Sequence, residues 1–117
     1  MIRHHPNSVI ARGLMVVIPN LSPAMVMRMF RARPIGTWDA PDLARMMREL
    51  GRRAGLDAPP ALYWLPERRV NAFSTGDSHR SAIALSEMTL RVLSPTQTGC
   101  VLAHEMSHNA EVWIMPR

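Results

Sequence analysis

The chain has 117 residues, 47% of them hydrophobic and 20% charged, which is enough for one small packed domain and argues against a disordered chain. Its formal charge of +5 is carried on the basic side wholly by arginine, and the arginines are scattered with no aromatic interleaving. No nucleic-acid partner is therefore expected, while a lipid-facing role stays open for the N-terminal arginines. The lone cysteine, Cys100, excludes an intrachain disulfide, and its expected role is that of a small buried thiol.

Residues 1–19 read as a lead, with His4 and His5 assigned no role. The apolar run 9–18 contains Arg12 and stops at Pro19. It is shorter than the roughly 20 apolar residues a spanning helix needs, so it reads as a membrane-segment stub at most. Residues 22–32 predict a short helix with Ser22 as N-cap and Pro23 in the first turn. Met25 and Met29, with Val26 and Phe30, pair at i, i+4 and predict one apolar packing face. Arg28, Arg31 and Arg33 lie toward its end, where the dipole favours cations.

Residues 40–54 predict the clearest amphipathic helix, capped by Asp39 and followed by Gly55. Leu43, Met46, Met47, Leu50 and Ala54 fall on its core stripe, and Arg45, Arg48, Glu49, Arg52 and Arg53 mostly on its solvent side. After Pro59-Pro60, three short strands are expected: Ala61 to Leu65, Val70 to Ser74 and Ser81 to Leu85. Ser86 and Glu87 open a helix carrying Met88, Leu90, Val92 and Leu93. Ser94-Pro95-Thr96-Gln97 is a capping box that starts the last helix. Gly99 inside that helix costs about 1 kcal/mol relative to Ala, for which a close approach is the expected reason. The fold class is α+β: a small mixed or antiparallel sheet with packed helices.

The last helix carries Val101-Leu102-Ala103-His104-Glu105-Met106-Ser107-His108. Residues i and i+4 of a helix share a face one turn apart, so His104 and His108 can converge on one cation. Zinc takes neutral imidazole readily, and a catalytic zinc keeps a position open for water. Glu105 is placed to accept that water's proton and pass it to a leaving amine. His-Glu-x-x-His is among the more specific short patterns, and it points to Zn2+-dependent peptide hydrolysis.

Together with Asn71-Ala72-Phe73-Ser74-Thr75-Gly76, Trp38-Asp39-Ala40-Pro41-Asp42-Leu43 and Arg52-Arg53-Ala54-Gly55-Leu56, this motif resembles the HtpX-like membrane zinc metallopeptidases. These are gluzincins related to the CAAX prenyl proteases. The resemblance runs from about residue 20 to the end, and 20–117 is expected to be a partial catalytic domain, zincin-like, with its active-site helix near the C-terminus. It implies His104 and His108 as zinc ligands and Glu105 as general base. It also implies that Asn71, Ala72 and Phe73 form an edge strand near the metal, to which an extended peptide adds by main-chain hydrogen bonds. The expected substrates are peptides or unfolded and membrane proteins, in membrane-protein quality control. The expected location is a bacterial inner membrane with the catalytic domain facing the cytoplasm.

The third zinc ligand of such enzymes is a Glu on a later helix, and this sequence ends at Arg117. Glu111 is the nearest local candidate, although it lies about 4.5 Å further along the axis than His108. Asp77, His79 and Glu87 read as loop or cap residues, and a partner chain is a further source of a ligand. The competing reading is a non-catalytic peptide- or partner-binding module with an incomplete metal site.

Overall fold

A computed structural model describes residues 14–15, 20–77 and 79–111, with backbone alone for 14–15 and 108–111. The lead and its apolar run therefore lie outside the described residues, apart from the backbone of 14–15. In chain order the elements are β1 (Leu14–Met15), α1 (Pro23–Met29), β2 (Arg33–Pro34), α2 (Pro41–Arg53), β3 (Ala61–Leu65), β4 (Ala72–Gly76), β5 (Ser81–Ser86), α3 (Glu87–Val92) and α4 (Pro95–Glu111). The strands form one mixed sheet in the order β1-β4-β5-β3-β2. β1 runs parallel to β4, β4 antiparallel to β5, β5 parallel to β3, and β3 antiparallel to β2. The α+β expectation is met. No helix among the described residues is long and apolar enough to cross a membrane.

Strand alternation sorts the core into two layers. Leu62, Ala72, Ile83 and Leu85 point to one face and meet Met47, Leu56, Val101, Leu102 and Met106. Leu65, Phe73, Ala82 and Ala84 point to the other and meet Val26 and Met27. Thus α2 and α4 cover one face and α1 the opposite one. β5 is buried along its whole length, which its Ser-Ala-Ile-Ala-Leu-Ser sequence permits because small residues let both layers approach closely. Full burial of each large side chain, such as Ile83, Leu85, Leu102 or Met106, is worth about 1.5–3 kcal/mol.

Several local expectations are corrected. In α1 the buried pair is Val26 and Met27, while Met25, Met29 and Phe30 face solvent. The helix is apolar nearly all round, so packing rather than periodicity chooses its inner face. Asp39 does not cap α2. Its Oδ2 accepts the Gly36 N–H at 2.9 Å and closes the preceding turn, leaving Ala40 at the N-cap without a side-chain bond. Cys100 is exposed, because only Val101 and Leu102 of its apolar run face the sheet. Val92 is likewise exposed at the end of α3.

Other expectations hold. Ser22 and Ser86 cap α1 and α3 by accepting the N–H of Met25 and Thr89. The Ser94–Gln97 capping box is reciprocal, with bonds of 3.1 and 2.9 Å. A side chain at Gly99 would meet the Met46 thioether at 3.4 Å, so the glycine marks where α4 crosses α2. Glu49 pairs with Arg52 and Arg53 at 2.7 and 2.8 Å, and these bonds, Arg52's first, hold its carboxyl below the usual range.

The ends of α1 and α2 make an informative comparison. Both close with the same double bond pattern: Leu56 N–H to Gly51 O and Gly55 N–H to Arg52 O in α2, Ala32 N–H to Met27 O and Arg31 N–H to Arg28 O in α1. This Schellman arrangement needs a left-handed residue, which costs least as glycine. α2 supplies Gly55 at φ +80, whereas α1 supplies Arg31 at φ +63. Replacing Arg31 by Gly is expected to raise stability by about 1 kcal/mol, read as a higher urea midpoint.

Candidate active site

The residues of interest sit where α4 crosses β4. Thr98, Val101, Leu102, Glu105 and Met106 form the buried stripe of α4. Their spacing of three and four residues keeps them on one side of the helix. Glu105 is thus the one carboxyl on a face made for hydrophobic contact, and it is completely buried. Its partner across the interface is Ser74 of β4, whose hydroxyl hydrogen-bonds the carboxyl group and which is also completely buried. Burial pushes the Glu105 pKa up from 4.5 to about 7, with the Ser74 bond pulling the other way. The cause is the cost of holding a charge among apolar neighbours.

His104 lies next to Glu105 but on the exposed side of the helix. The Ser107 hydroxyl donates to the His104 carbonyl at 2.7 Å, the i−3 back-bond usual for serine within a helix. His108 and Glu111 belong to α4 by their backbone, and their side chains lie outside the described residues. The helix therefore puts positions 104 and 108 one turn apart on one stripe, with Glu105 about 100° around the axis from the first. Among the described residues no group of three or more His, Cys, Asp or Glu stands together as a metal site. Asp77 and His79 are spent locally: Asp77 Oδ1 accepts the N–H of His79 and of Arg80, and the His79 ring meets Asp57. Glu87 pairs with Arg91.

The expected substrate edge is corrected. β4 is an inner strand, because β1 pairs with it, Leu14 opposite Phe73 and Met15 opposite Ser74. Asn71 is committed to structure. Its amide donates to Glu67 Oε1 at 2.9 Å, its Oδ1 accepts the Ala72 N–H, and its main chain is tied to Ser86 and Thr89. Ala72 points into the α4 layer and Phe73 into the α1 layer, where it meets Phe30 with ring centroids 4.8 Å apart. Ser74 was not singled out from the sequence. The signal that locates it is strand parity, since it lies two residues after Ala72 and so shares the face that α4 covers.

Residues 37–112 match the model of peptidase family M48, well over half of the chain. The chain belongs to peptidase family M48. Within this family it is similar to the protein named protease HtpX homolog in Syntrophobacter fumaroxidans, at 42% identity over 88 residues. That match covers 74% of this chain and 31% of the relative. The Paraburkholderia phytofirmans homolog is 42% identical over 101 residues, covering 86% of this chain and 35% of the relative. The Burkholderia mallei homolog is 41% identical over 88 residues, covering 74% and 30%. The chain spans about a third of the length of the curated relatives it matches. The M48 match includes α2, the sheet from β3 to β5, α3 and the whole of α4, so the HtpX-like reading of the sequence stands.

Proposed function

We propose that this chain carries the water-activating part of a zinc-dependent metalloendopeptidase. The observation that carries the proposal is Glu105: a carboxyl buried on α4 against Ser74, beside the exposed His104 and one turn below the position of His108. An acid buried on a core stripe destabilises a fold when it ionises, and a general base held near neutral pKa is a use that offsets the cost. The donor chemistry suits zinc, since two imidazole positions at i and i+4 supply two of the three protein ligands a catalytic site takes. The third would come from Glu111, from sequence beyond the matched third of the relatives, or from a partner chain.

With the cation held by His104 and His108, its contribution is to lower the pKa of water toward neutrality. The remaining work falls to this chain's own side chains. Glu105 would take the proton of the attacking water and return it to the amine that leaves. Ser74 holds the carboxyl through its hydroxyl and limits the directions it can point. An extended peptide reaching β4 would displace β1 or add outside it, so the β1 pairing bears on substrate entry. The substrate class that suits such backbone-directed recognition is unfolded protein, including membrane protein, at the cytoplasmic face of a bacterial inner membrane.

The test is hydrolysis of an unfolded protein by the purified chain. Turnover that disappears with a chelator and returns with zinc is the expected result. An ordered, zinc-replete chain that cleaves nothing would instead favour a peptide- or partner-binding module.

A further inference from the structure

We propose that the outward face of α1 docks on an anionic lipid surface. The proposal names a lipid-binding face within the membrane setting suggested above, and it stands independently of the peptidase reading. α1 is anchored by Val26 and Met27, which are fully buried against β4 and β5. Its other side shows Met25 at 48%, Met29 at 60% and Phe30 at 42% exposure. Met25 and Met29 are one turn apart, so with Leu21 and Arg28 they line a shallow groove of about 220 Å³. Large flexible apolar side chains clustered on a surface turn are the anchor of an interfacial helix.

Charge selects the occupant. From Met1 to Trp38 the chain has no acidic residue, and Asp39 is the first. Arg28 and Arg31 flank the methionines, and neither has an ion pair among the described residues. Arg33 is engaged differently, stacked over Trp64 at 5.8 Å. The one acid on the neighbouring groove is Glu67, which is bound to Arg69 at 3.1 Å and to Asn71. Cations beside an apolar ridge match phosphate headgroups above acyl chains, and arginine can lay its stem along the apolar surface while its head stays at the phosphates.

Arg31 adds a second, independent observation. It holds the left-handed position that Gly55 fills in the matching motif of α2. A cation is kept where glycine would fold better, and with the half-exposed Phe30 it lines the neighbouring groove over Leu65 and Phe73. Because α1 and α4 lie on opposite faces of the sheet, docking through α1 turns the helix that bears His104 away from the bilayer and toward water.

The experiment is co-sedimentation of the full chain with phosphatidylcholine vesicles, with and without phosphatidylglycerol, at low and high salt. Binding should need phosphatidylglycerol and weaken with salt. The Arg28→Gln/Arg31→Gln double variant should lose roughly 30-fold in affinity, and Met25→Ser/Met29→Ser at least about tenfold. Arg31→Gly is the control against misfolding, since it should bind roughly fivefold more weakly while unfolding at higher urea. Unchanged binding in these variants would overturn the proposal, as would equal binding to neutral vesicles. Lipid-free self-association that Met25→Ser/Met29→Ser abolishes would also overturn it, because a second copy would then be what covers this face.

Discussion

Glu105→Gln should make the metal-free protein more stable at pH 8 and at the same time abolish peptide hydrolysis. The native carboxyl titrates at about 7 against 4.5 in the unfolded chain. Below pH 4.5 both states hold the proton, and the residue contributes no pH dependence. As pH rises from 4.5 toward 7 the unfolded chain releases its proton while the native chain keeps it, so unfolding becomes progressively easier. Above 7 both are ionised and the penalty levels off at about 3 kcal/mol, an order-of-magnitude figure from the size of the shift. Glutamine has no charge to lose, so the variant's stability should be flat across this window. It should equal wild type near pH 4 and exceed it at pH 8. Urea titrations at the two pH values check this, and parallel curves for the two proteins would show that Glu105 is not ionising in a buried site. Activity should fall by roughly 10²–10⁴, the usual contribution of a general base. A stability gain with activity retained would remove Glu105 from the chemistry while leaving its burial intact. Gain and loss together would mark it as a residue kept at the expense of the fold.

The sequence made some of this legible because the relevant interactions are local. The Ser94–Gln97 capping box, the Ala61–Leu65 strand and the core stripe of α2 depend on residues three or four apart, or on alternation within one strand. The motif positions on α4 follow from helical geometry alone. What could not be read is set by neighbours distant in sequence. The outward turn of Met25 and Met29 depends on which side of an all-round apolar helix meets β5. The loss of β4 as an edge depends on β1 arriving from almost sixty residues away. The role of Ser74 requires knowing both that β4 lies under α4 and which parity faces it. The exposure of Cys100 follows from the same crossing, which admits Val101 and Leu102 and leaves their neighbour outside.

Zinc binding should depend on His104 and His108 far more than on Glu111. Removing one of two imidazoles leaves a single protein donor from the motif, so His104→Ala and His108→Ala should each lower zinc affinity by at least roughly 100-fold. His104 lies on the exposed side of the helix, so its variant should still fold in the absence of metal. Glu111 sits three residues beyond His108, so along a straight helix its carboxyl is carried about 4.5 Å past the second imidazole. Glu111→Ala should therefore leave affinity within roughly threefold, because the helix would have to unwind after His108 for both to reach one ion. Calorimetric titration of the three variants beside wild type separates the cases. Tight zinc lost equally in His104→Ala and Glu111→Ala would place a complete three-ligand site within α4 itself. Tight zinc lost in the histidine variants alone, with a second protein chain bound per metal, would assign the third ligand to the partner. Weak zinc in the isolated chain that tightens when the remainder of a full-length relative is supplied would put the ligand in that remainder.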